Sequence, residues 1–189
     1  LGFNVRSAAS TIESKGIAGT KLVLGTDDLT LNGVTIGPST TAATSESAAS
    51  LAAHLNTYSS STNVQATAST SVTVNMSTTN AGDIYKTTAA AATEKITVNG
   101  IDTLYTVAMP MTDLVTLMNT NLASVGIVAT SDKGSLMLSS ELGDTISVAD
   151  DGVARIVGFV KSDGSTVSPA GAGTAVDFTG ELKLVNTAG

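Results

Sequence analysis

Apolar and polar residues alternate from Leu29 to Ile36, and the alternation turns over at Asn32-Gly33. The same happens from Ile96 to Val107 around Asn99-Gly100. Asn-Gly between alternating runs predicts a two-residue hairpin, because both residues tolerate the positive φ of a type I′ turn. The period then changes. Ala48, Leu51, Ala52 and Leu55 recur at helical spacing, with Ser47, Ser50 and His54 on the other side. Ser45 is the expected N-cap. Leu114, Val115, Leu117, Met118 and Leu122 repeat the pattern from Thr112 to Leu122, with Thr112-Asp113 as cap candidates. An alternating strand pair follows each helix. Ser/Thr/Ala-rich stretches at Thr57–Thr62 and Ser77–Thr93 read as loops, and Ser162–Thr174 as the longest flexible connection. The unit is strand, turn, strand, helix, strand, turn, strand, with the helix burying its Leu stripe on a small, mostly antiparallel sheet.

This unit occurs more than once. Leu29–Ile36, the helix ending Leu55-Asn56, Asn63-Val64-Gln65-Ala66-Thr67 and Val72-Thr73-Val74 are answered in order by a second set. That set is Ile96–Ile101, the helix with Met118-Asn119, Ile127-Val128-Ala129-Thr130 and Gly134-Ser135-Leu136-Met137-Leu138. A third copy reads as split. Asn4–Ser10 resembles Asn63–Ser69, and Gly180–Gly189 matches Gly134–Gly143 with Gly, Leu, Leu and Gly in the same places. The expected fold is therefore strand-rich α+β, with two inserted β-β-α-β-β modules and a split host module formed by the two chain ends. The boundaries are 1–22 with 175–189 for the host, 23–93 for the first inserted module, and 94–174 for the second with its C-terminal flexible connection. Beginning inside a module, the sequence reads as a piece of a longer chain. Repeats of this length point to assembly or display rather than to one active site.

Composition narrows the function. The 189 residues are 42% hydrophobic but only 3% aromatic and 13% charged, so the core is aliphatic and the surface rich in hydroxyls. A net charge of −7, with nine scattered basic residues, argues against a nucleic-acid partner, which needs clustered Lys and Arg. Without Cys there is neither disulfide nor thiolate chemistry. No apolar run approaches the roughly 18 residues that span a bilayer, and no membrane partner is expected.

Together these pieces resemble the repeat of the outer, variable domains of bacterial flagellins and related flagellar axial proteins. The family pattern is an xxxNGxxIxL hairpin, a helix ending in IN or LN, and a gVxAxxxxxGxLxLxSxxG strand pair. Its counterparts are Leu31-Asn32-Gly33-Val34, Leu55-Asn56 and Val64-Gln65-Ala66-Thr67, then Val98-Asn99-Gly100-Ile101, Met118-Asn119 and Gly134–Ser140. Val5-Arg6-Ser7-Ala8 and Thr11–Ala18 look like flagellins with long inserted outer domains. The first copy departs from the pattern: no Gly precedes Val72, and the next lies at Gly82. The resemblance implies a structural, non-catalytic region on the outer surface of a secreted, extracellular flagellar filament that serves motility. Its partners would be other copies of the same protein, touching weakly, with the isolated chain a monomer. The segments by which flagellins polymerise and engage an innate immune receptor are not among these residues. A hook or hook-associated axial protein is the nearest alternative. An adhesion or carbohydrate-binding module of a surface or phage fibre is the next, and would need an aromatic platform from Phe3, Phe159, Phe178 or a Tyr, or a calcium cage.

Candidate chemistry is sparse. His54 is the single His and is expected on the solvent face, with no second ligand beside it. Asp27-Asp28 and Asp150-Asp151-Gly152 lack the spacing of a calcium loop and read as turns. Gly171-Ala172-Gly173 lacks the third Gly and following helix of a dinucleotide loop. Ser residues have no paired base, Asn75-Met76-Ser77 is a bare sequon, and Met109-Pro110-Met111 reads as adaptable packing. No enzyme activity, cofactor or metal is expected. Some flagellins carry sugars on exposed hydroxyls, which makes Ser59, Ser60, Ser61, Thr62, Ser77, Thr78 and Thr79 candidate O-glycosylation sites.

Overall fold

The computed structural model describes residues 11–14, 24–39, 47–76, 93–106, 109–150, 156–171 and 173–187. They form a strand-rich α+β protein that divides into two compact units. The first is drawn from the described residues up to Ser69, with Leu142–Thr145 and the chain from Thr179 onward. The second is Thr70–Glu141 with Ile146–Phe178.

In the first unit, strands β2 (Leu29–Leu31) and β3 (Val34–Ile36) form the expected hairpin. Its turn residues Asn32 and Gly33 have φ of 47° and 83°, the left-handed values a type I′ turn requires. Helix α1 (Ala48–Asn56) buries Ala48, Leu51, Ala52 and Leu55, as its spacing predicts. Its N-cap is Ser47, whose side chain accepts from the Ser50 amide; Ser45 lies outside the described residues. Residues Ser59–Thr62, expected as a loop, form a one-turn helix α2 closed by Asn63 in the left-handed conformation. Strand β4 (Val64–Met76) gives its first half to this unit, where it pairs with the C-terminal strand β13 (Glu181–Asn186). The other side of β13 pairs with β1 (Thr11–Ser14), from Thr11↔Val185 to Ser14↔Leu182. The early strand and the end of the chain are therefore neighbours over Thr11–Ser14; Val5–Ser10 lies outside the described residues. Leu29, Leu31, Ile36, Leu51, Leu55, Val64, Leu182 and Leu184 share the apolar core.

Strand β13 thus lies between β1 and the first half of β4. In the second unit, β7 (Val128–Asp132) and β8 (Ser135–Ser140) form a tight hairpin through Lys133 and Gly134, with Ala129↔Leu138 and Ser131↔Leu136. In the first unit the matching pairs are Ala66↔Leu184 and Ala68↔Leu182. Leu182 and Leu184 thus pair with β4 in the register that Leu136 and Leu138 keep with β7.

The second unit holds β5 (Thr93–Val98) and β6 (Ile101–Thr106), a hairpin turning at Asn99-Gly100, and helix α3 (Met111–Leu122). Pro110 occupies the N-cap position of α3 without a side-chain bond, so Thr112 and Asp113 lie inside the helix rather than capping it. Strands β9 (Ile146–Asp150), β10 (Ile156–Lys161), β11 (Thr166–Val167) and β12 (Val176–Phe178) complete the unit. One sheet runs β12-β9-β5-β6; in the other, the second half of β4 lies between β8 and β10. The β10–β11 pairing gives order to part of Ser162–Thr174, expected as a flexible connection. Leu114, Met118 and Leu122 of α3 are fully buried with Val72, Val74, Ile96, Val98, Leu136, Leu138 and Phe159.

Candidate functional site

Among the described residues, one polar geometry occurs twice, joining α1 and α3 each to a strand. Asn56 closes α1, and its Nδ2 donates to the Ala66 carbonyl while its Oδ1 accepts from the Ala66 amide, both at 2.8 Å. Asn119 does the same with Ala129, at 2.9 and 2.8 Å. Each partner is a backbone group with a single hydrogen-bonding sense, so the amide orientation is fixed by chemistry. In an antiparallel strand the N–H and C=O of one residue point the same way. At Ala66 and Ala129 they turn away from the paired strand, and the Asn amide meets them as a neighbouring strand would. Buried backbone groups left unpaired are costly. Leu55-Asn56 at the end of α1 and Met118-Asn119 in the last turn of α3 thus have a structural task that periodicity alone does not reveal. The usable signal is an Asn ten residues before an Ala in both repeats.

Each hairpin turn is fastened by its Asn side chain as well. Asn32 Nδ2 donates to the Thr62 carbonyl at 2.6 Å, and Asn99 Oδ1 accepts from the Ser147 amide at 2.7 Å. His54, expected on the solvent face, is instead half-buried. Its Nε2 lies 3.0 Å from the Gly37 carbonyl, which can only accept, so that nitrogen carries the proton. The Tyr58 hydroxyl accepts from the Gly37 amide at 3.3 Å, and the two rings meet edge-on at 5.6 Å. The reason is local: β3 ends beside the helix, and its next peptide needs partners. Gly143 has φ of 77°, and its carbonyl accepts from the Ala49 amide at 3.1 Å, helping to satisfy the start of α1.

No arrangement suited to catalysis emerges among the described residues, and no group of three or more His, Asp or Glu there could hold a metal ion. Asp28 accepts from the Gly25 amide in an exposed turn, with Asp27 at φ 63°. Asp150 is buried at the end of β9, and its carbonyl accepts from the Gly173 amide; Asp151, Gly152 and Ala172 lie outside the described residues. Met111 opens α3 and is buried, and Asn75 of the sequon accepts from the Ser135 hydroxyl. A shallow recess of about 350 Å³ in the second unit is lined by Lys95, Thr97, Ser147 and Asp150. Beside it, the Thr97 hydroxyl and then Lys95 hold the exposed Asp102 carboxyl below the usual carboxylate range. Nothing in this recess pairs a nucleophile with a base.

The hydroxyl candidates separate. Ser60 and Ser61 are exposed on α2 and Ser59 is half-buried. Thr62 is fully buried, its hydroxyl donating to the Tyr58 carbonyl at 2.9 Å and accepting from the Val64 amide at 3.2 Å. No sugar can reach it in the folded unit. Ser77, Thr78 and Thr79 lie outside the described residues. Phe159 and Phe178 pack together at 5.0 Å inside the core with Tyr105 also buried, so these three offer no aromatic platform. A scan against known protein families gives no match to the chain, and neither does a search of curated proteins.

Proposed function

We propose that this chain is a structural, non-catalytic outer-domain region of a bacterial flagellar filament protein, displayed extracellularly on the filament surface and serving motility. One observation carries the reading. The pattern's separate pieces, the Asn of the helix and the Ala of the strand that follows (Val64-Gln65-Ala66 and Ile127-Val128-Ala129), are bonded to each other in both repeats. A motif set whose members share one physical task is a more specific likeness than the same letters scattered along a chain. The architecture we propose is nested: most of the chain between Ser69 and Thr179 belongs to the second unit, and β4 runs unbroken from the first into it. The flanking strands still pair around the interruption, the condition under which insertion is tolerated. A surface rich in Ser and Thr, with few charges and few aromatics, suits weak lateral contacts between neighbouring copies and a monomeric isolated chain.

The test is immunoelectron microscopy of cells that make the protein, with antibody raised against the purified chain. Label along the whole length of flagellar filaments is expected. Label confined to the hook or its junction would move the assignment to a hook-type axial protein. Label on other surface fibres, with flagella bare, would overturn the flagellar reading.

A further inference from the structure

The two Asn-Gly turns share one backbone geometry and sit in different surroundings. We infer that Asn32 is a site of spontaneous deamidation, and that Asn99 is protected from the same reaction by its contacts. The chemistry needs only water. The Gly33 amide nitrogen attacks the Asn32 side-chain carbonyl carbon, a C–N bond forms, and ammonia leaves to give a succinimide. Water then opens the ring at either carbonyl, giving aspartate or isoaspartate. Gly is the least obstructed residue to follow the Asn, and an added Cβ at Gly33 or Gly100 would meet nothing within 4 Å.

Reaction requires the turn to leave its closed form, because the Asn at φ 47° and its bonded side chain must rotate to present that carbon to the next nitrogen. Opening is easier at Asn32. It is exposed, on a hairpin of two three-residue strands, and its side chain is held by the Thr62 carbonyl. Two-stranded hairpins are marginal by themselves and open locally at low cost. Asn99 is half-buried between six-residue strands. Its amide donates to the Ser147 carbonyl at 2.9 Å while its Oδ1 accepts from the Ser147 amide, tying the residue to β9 twice.

The aspartate product also acts differently at the two sites. At position 32 the side chain loses its donor, and a carboxylate faces the Thr62 carbonyl, which can only accept. The hairpin carrying core residues Leu29, Leu31 and Ile36 is then unfastened. At position 99 a carboxylate still accepts from Ser147, and more strongly.

Incubation of the purified chain at mildly alkaline pH, followed by peptide mass spectrometry, tests the inference. Conversion at Asn32 should run about tenfold faster than at Asn99, corresponding to ~1.4 kcal/mol in opening free energy. In concentrated urea the two rates should converge. Equal rates in the folded chain, or faster conversion at Asn99, would overturn the inference. Hydrogen exchange supplies the second arm. N32D should speed exchange across Leu29–Ile36, whereas N99D should leave Thr93–Thr106 unchanged. The reverse pattern would refute the proposed fastening.

Discussion

Replacing Asn119 by alanine removes both bonds to Ala129 and leaves an amide and a carbonyl of β7 facing the space beside α3. An unsatisfied buried backbone group costs about 1–3 kcal/mol. The clamp is only part-buried, so about 1–2 kcal/mol applies to each group, or ~2–4 kcal/mol together. Alanine favours a helix interior over asparagine by up to about 0.7 kcal/mol, which offsets part of this. The expected net loss is about 1.5–3 kcal/mol, confined to the second unit. Asn56→Ala should lose a similar amount in the first unit, with less helix offset because Asn56 is the last residue of α1. Asn119→Asp separates hydrogen bonding from size. It keeps an acceptor for the Ala129 amide but sets a carboxylate against the Ala129 carbonyl. At neutral pH it should be no more stable than the alanine variant. It should recover as acid protonates the new carboxyl and restores a donor. Urea unfolding followed by circular dichroism, with hydrogen exchange read separately over Val64–Ser69 and Val128–Asp132, assigns the loss to its unit. A cost under about 0.5 kcal/mol with unchanged denaturant slope, the range of an ordinary surface substitution, would show that the clamp does not fasten the strand.

Leu55→Ala and Leu114→Ala should each cost about 2–5 kcal/mol, because both side chains are buried in aliphatic cores. His54→Ala should cost about 1 kcal/mol by the same denaturation assay, through the lost bond to Gly37. Gly143→Ala should destabilise the first unit by about 2–4 kcal/mol, since a Cβ there overlaps that of Ala68 and the backbone is left-handed; a neutral result would show that this segment does not hold α1. Thr97→Val should raise the Asp102 titration midpoint toward the ordinary carboxylate value in an NMR titration. The lowered value in the folded chain means that the Thr97 and Lys95 contribution is present above the ordinary carboxylate pKa. It is lost as pH falls through the lowered folded one.

Local pattern carries most of the elements because each is set by neighbours in sequence. The Asn-Gly turns, the Leu stripes of α1 and α3 and the alternation in β4, β5 and β8 all arise from side-chain period and turn chemistry. The partner of a strand is a different kind of fact. Ser69 pairs with Glu181 across the whole second unit, and no local rule names a partner that far away. Likeness between Gly134–Gly143 and Gly180–Gly189 holds the clue, since equal segments fill equal places, but pattern alone assigns it to a separate host module. Polar partners are hidden for a related reason. His54 lies on the less apolar side of α1, yet β3 ends there and brings Gly37 within reach. Thr62 stands in a hydroxyl-rich run that reads as a loop, although its own hydroxyl closes the turn that ends α2.

The clamps bear on why such units can nest. A strand edge left open invites pairing with another chain, and a strand cut off from its usual hairpin partner is exposed to the same hazard. At Ala66 and Ala129 the edge is met from within, by an amide on the helix of the same unit. Closing those groups does not depend on how the chain continues beyond the strand. In the nested arrangement we propose, the link to the partner strand is Lys133-Gly134 in one unit and everything between Ser69 and Glu181 in the other, provided the returning strand finds its register. Leu182 and Leu184 supply that register in the first unit, as Leu136 and Leu138 do in the second, because a slip of one residue would turn both leucines out of the core. An insertion between the two paired strands therefore leaves the helix–strand bond and the leucine pair intact.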